Sequence, residues 1–117
     1  MRFLAKLEIQ DNIPKIITAH QDGTICFEEG REIRKISIEK SKIDELEKII
    51  LEANFFNLDK IYDPQNAEDE IAHTITVQIN DKKHSVYFTS NPPPALEKIS
   101  EAIKNLWPEK IKYLGFA

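Results

Sequence analysis

One cysteine, one tryptophan, three glycines and no apolar run of 18 residues define this 117-residue chain first by what it has little of. A single thiol, Cys26, can close no internal disulfide and cannot build a cysteine-rich zinc site. The opening stretch, residues 1–9, is broken by charge at Lys6 and Glu8, so it lacks the apolar segment of a secretory signal; the expected location is the cytoplasm, with no membrane partner. Basic residues are outnumbered, 16 to 20, for a net charge of −4. That balance leaves no cationic footprint for nucleic acid, which is therefore not an expected partner. The scarcity of glycine restricts the places where the backbone can take a positive φ without strain, and Gly23 and Gly30 both fall where turns are expected.

What is present is a mass of 13.6 kDa with 41% hydrophobic residues. Surface scaling gives roughly 6,600 Å² folded against roughly 20,000 Å² unfolded, so about two-thirds of the surface can be buried. A single domain over residues 1–117, stable without staples, is the expectation.

Apolar residues alternate with polar ones through 3–9, the period of a strand with one dry face. Pro14 breaks the run, and a second strand rich in β-branched residues follows at 15–20. Gln21-Asp22-Gly23 is a hairpin signal leading into a strand at 24–28. Glu29-Gly30 turns the chain again into 31–38, which completes a four-strand meander. The period then changes: Ile43, Leu46, Ile49, Ile50 and Ala53 form one stripe of a helix, with Ser41 and Asp44 as its start signal and Asn54 at its end. Phe55 and Phe56 directly after a helix predict aromatics folded back to seal the core. The acidic octad 63–70 carries four carboxylates and no base, and reads as a long loop. Strands at 73–79 and 83–89 form a hairpin with its loop at Asp81-Lys82, a register that sets Ile79 against His84, Val77 against Val86 and Ile75 against Phe88. Thr74, Thr76, Gln78, Ser85, Tyr87 and Thr89 then share a polar, solvent-facing side. Ser90-Asn91 and the prolines Pro92, Pro93 and Pro94 open a second helix, striped by Leu96, Ile99, Ala102, Ile103 and Leu106 and stopped at Trp107-Pro108. A tail with Tyr113, Leu114 and Phe116 either packs on the domain or makes a dimer contact.

Few residues converge on chemistry. The hairpin register separates His73 from His84 by roughly 20 Å, too far to share a metal, and no H-x-x-x-H pair exists. His20 could lie across the Asp22-Gly23 turn from Cys26, but no third group completes a nucleophilic site. The octad lacks the ligand spacing and central glycine of a calcium loop; it is a solvated loop or a contact surface for a partner. Phosphate-cradling and nucleophile-elbow motifs are absent, so neither a catalytic residue nor a metal nor a cofactor is expected.

The helix leading into Ala53-Asn54-Phe55-Phe56-Asn57-Leu58, together with Thr74-Ile75-Thr76-Val77, His84-Ser85-Val86 and Pro94-Ala95-Leu96, resembles a group of small bacterial domains mostly of unknown function. Emfourin-like inhibitors of thermolysin-type zinc metalloproteases, which are cytoplasmic, have a similar layout. The likeness covers roughly residues 22–106 and consists of core and turn positions. It implies a partner protease, and no inhibitory residue carries over to a numbered position.

The sequence therefore predicts an α+β domain: an antiparallel sheet of about six strands, as a four-strand meander, helix, hairpin and helix, with both helices on one face. The expected function is a non-catalytic protein-binding module, in one version a protease inhibitor, with Asp63, Glu68, Asp69, Glu70 and Tyr87 as the partner-binding residues. The alternative is a homo-oligomeric structural domain that associates through its apolar tail.

Overall fold

The computed structural model describes residues 3–62, 71–89 and 92–107. Four strands follow one another, β1 (Phe3–Gln10), β2 (Lys15–His20), β3 (Thr24–Glu29) and β4 (Glu32–Ser37), then α1 (Lys40–Glu52), a 3₁₀ turn (Phe55–Asn57), β5 (Ile61–Tyr62), β6 (Ala72–Ile79), β7 (Lys82–Phe88) and α2 (Pro94–Lys104). The class is α+β, as the sequence predicts, but the sheet has seven strands, in the order β4-β3-β2-β1-β6-β7-β5. The additional strand is β5, two residues long and paired parallel to β7, which makes a mostly antiparallel sheet a mixed one. So short a strand leaves no periodic pattern to read. Its place is set by backbone bonds instead: the Tyr87 N–H donates to the Lys60 carbonyl at 2.8 Å and the Thr89 N–H to the Tyr62 carbonyl at 3.2 Å.

The inward residues of the strands, among them Leu7, Ile9, Ile17, Ile25, Ile75, Val77 and Val86, join Ile43, Leu46 and Ile50 of α1 and Leu96, Ile99 and Ile103 of α2 in one hydrophobic core. Burying each such side chain contributes about 1.5–3 kcal/mol. The aromatics after α1 behave as expected, since Phe55 is fully buried and meets Phe56 edge-on at 6.0 Å and His84 at 5.4 Å. Asn54 takes the left-handed conformation that releases the chain from α1. Trp107, just beyond α2, closes the other side of the core against Phe27 at 5.3 Å.

Three local expectations change. The β6–β7 turn is Asn80-Asp81, with Asn80 at φ 56°, and the hairpin pairs Ile75 with Val86, Val77 with His84 and Ile79 with Lys82. That register is two residues from the predicted one, and because strands have period two, every side chain keeps its face. The start of α1 is Lys40, with Glu39 before it; Ser41 bonds the Glu39 carboxylate at 3.4 Å and caps no backbone N–H. Pro94 opens α2 as expected, but the residue before it is Pro93, which offers no side-chain cap; Ser90 and Asn91, the expected cap, lie outside the described residues.

Candidate functional site

Both helices enter the core on one side of the sheet, so the other side presents the alternate residues of every strand. Register aligns them in rows. One row crosses all seven strands as Ile33, Glu28, Ile16, Glu8, Thr74, Tyr87 and Ile61. The row beside it runs Lys35, Cys26, Thr18, Lys6, Thr76 and Ser85. At about 4.8 Å between strands the first row is about 29 Å long. Its two ends are apolar and open, Ile33 at 60% exposure and Ile61 at 65%. Tyr87, the one predicted partner-binding residue among those described, sits in this row, half-buried between Thr74 and Ile61. Asp63, Glu68, Asp69 and Glu70 lie outside the described residues, as does the tail beyond Trp107.

This face is less wet than its polar composition suggests. Thr76 is buried, and its hydroxyl is 2.9 Å from that of Ser85, because a residue in mid-sheet is hemmed in by neighbours on both adjoining strands. At the start of the central strand, β1, Phe3 carries two ammonium groups, Lys6 at 5.6 Å and Lys83 at 5.8 Å from its ring centre. The alternation in strand one already puts Lys6 and Glu8 on this side. What no sequence pattern gives is the strand order that lines them up with Tyr87.

The groups that could do chemistry complete no site among the described residues. Cys26 stands opposite Thr18 and Lys35, and His20, two residues beyond Thr18 on β2, is its diagonal neighbour on the same face at about 7–8 Å, with no third group beside them. Burial pushes the Cys26 thiol up, with Glu28 adding to the effect and Lys35 opposing it, so the nucleophilic thiolate is disfavoured. His73 faces Phe88 and His84 faces Val77, four residues apart along the strand and roughly 13 Å, shorter than predicted but still beyond a shared metal. Among the described residues no three histidine, cysteine or carboxylate groups are placed to hold a metal ion.

Each histidine of the hairpin has a structural setting. His84 Nε2 is 2.8 Å from the Leu58 carbonyl and ties the hairpin to the chain leaving the 3₁₀ turn. His73 stacks on Phe88 at 5.0 Å, with Nδ1 3.0 Å from the Ile71 carbonyl; burial and the nearby Lys104 charge hold its pKa below the ordinary value. Burial pushes the Lys104 ammonium down to about 7 against the pull of Glu101 and Glu97. Lys15 is buried too, its ammonium 3.4 Å from the Asp11 carboxylate and 3.3 Å from the Ile13 carbonyl. No helix among the described residues is long and apolar enough to cross a membrane.

No family model matches the chain, and no match is found among curated proteins.

Proposed function

We propose that this protein is a non-catalytic binding module that engages a partner protein through the outer face of its sheet. The observation that carries the reading is the row from Ile33 to Ile61, a continuous strip across all seven strands, apolar at both ends and with Tyr87 near one of them. A tyrosine with isolated apolar residues among polar ones is the composition of a contact surface, where the rigid ring gives area at low entropic cost. The partner is a protein, and inhibition of a thermolysin-like metalloprotease is the specific version that the emfourin resemblance suggests.

The test compares wild type with the double variant Ile16→Lys, Tyr87→Asp as immobilised baits in quantitative affinity capture. A partner retained by the first and reduced at least tenfold by the second supports the reading; identical captured sets sink it. The inhibitor version is tested separately with thermolysin-like proteases, where unchanged peptide hydrolysis at high molar excess of this protein removes it.

A further inference from the structure

The sheet ends on one side at β4, and this strand is unlike its neighbours. Among the described residues its extensive contacts are with β3 alone, and every one of its residues except Ile36 is exposed. The N–H of Ile38 donates to the Gly23 carbonyl at 2.8 Å, which fixes the alternation: the backbone groups of Glu32, Arg34 and Ile36 point to β3, and those of Ile33, Lys35 and Ser37 point outward. Against the inner side of the same strand lies an open groove of about 490 Å³, whose lining includes Ile36, Ile38 and Leu106 together with Glu39 and Lys42. Backbone groups with no partner among the described residues and a partly apolar groove thus meet along one edge.

We propose that the β4 edge is a strand-addition site, and that its occupant is an extended acidic segment of the partner protein, with apolar residues at alternate positions. An added strand would take its affinity from main-chain hydrogen bonds to Ile33, Lys35 and Ser37, and would set every second side chain over the groove. Charge selects the occupant. From residue 31 to 35 the edge carries Arg31, Arg34 and Lys35 against Glu32, which already holds Arg34 at 3.4 Å; Glu28 and Glu29 lie one strand further in. On a chain of net charge −4 this edge is locally cationic.

The same charges disfavour a second copy of this chain in three of its four central registers. Antiparallel two-fold pairing must keep opposed residues on one face, so it can centre on Ile33, Arg34, Lys35 or Ile36, and only the last opposes no like charges. Centring on Arg34 or Lys35 sets that residue against itself, and centring on Ile33 gains two Glu32 with Arg34 contacts but sets Arg31 against Lys35 twice. Like charges directly opposite are destabilising, which is how natural edge strands avoid their own kind.

This inference rests on the reading of the chain as a protein-binding module but uses a different surface, and the experiment separates the two. The probes are fluorescent octapeptides of alternating glutamate and valine, or alternating lysine and valine, titrated against the full chain. The glutamate peptide is expected to bind at least tenfold tighter, moving the amide resonances of Ile33, Lys35 and Ser37. Lys35→Pro removes an outward N–H and no bond to β3, so it should cut that binding at least tenfold while Trp107 emission and the melting temperature hold. The double variant Arg31→Glu, Lys35→Glu leaves the backbone intact and should reverse the preference. Equal binding of the two peptides, binding unchanged by both variants, or none at all overturns the proposal, as does a dimer that Lys35→Pro abolishes. If these fail while the outer-face variant still loses its captured partner, the binding-module reading stands and only the edge is refuted.

Discussion

Gly23 has a φ of +98°, and a Cβ built there would stand 2.6 Å from the Ile38 carbonyl oxygen, a backbone atom held by its place beside β3. Gly30, at +59°, would meet only the Ile13 side chain, at 3.3 Å. Gly23→Ala is therefore expected to cost about 2–3 kcal/mol and Gly30→Ala about 1 kcal/mol, compared by urea denaturation. His73 makes a pH-dependent contribution. Its folded pKa is lowered below the 6.5 of the free side chain, so the unfolded chain takes up a proton first as pH falls, and stability is lost from 6.5 downward. Lys104 has the same sign, but its window runs from 10.5 down to about 7, so it adds no slope below that. Between about pH 7.5 and about pH 5.5 the urea midpoint of the wild type should fall further than that of His73→Gln. Equal slopes would show that His73 is not the group responsible.

At the scale of the element, the β6–β7 hairpin depends on Asn80, whose positive φ few side chains tolerate. Asn80→Gly should be close to neutral and Asn80→Val should cost about 1–2 kcal/mol, read from thermal melts. This turn also shows where sequence reading stops. The alternation of Ile75, Val77 and Ile79 with threonine and glutamine is plain, so the faces of β6 and β7 are assignable; the two-residue shift of register is invisible because it leaves every face unchanged. The helical stripes of α1 and α2 were legible for the same reason, periodicity recording burial. A two-residue strand such as β5 has no period, and its pairing rests on the backbone bonds of Lys60 and Tyr62, which side-chain pattern does not encode. Ser41 looked like a helix start because capping preferences are local statistics, whereas Glu39 sits at that position without a side-chain cap.

For the whole molecule, the fact that composition and motifs do not convey is strand order. Of the predicted contact residues, Tyr87 owes its place in the long row to β6 lying beside β1, a neighbour some seventy positions away in the chain. The β4 edge follows from the same order, since a meander whose first strand lies at the centre of the sheet must leave its last strand outside. The β1–β6 seam has a further consequence, for biosynthesis. When residues 3–37 have left the ribosome, β1 can pair with β2, but its other side waits for residues 72–79. At about 5–20 residues per second that delay is roughly 2–8 s. During it the nascent chain displays an unmatched strand bearing Leu4, Leu7 and Ile9, far stickier than the charged margin that the finished protein retains at β4. A chaperone that shields emerging apolar segments would matter most in that interval, and the two boundaries of the meander would face the cell on different schedules, one for seconds and the other for the lifetime of the fold.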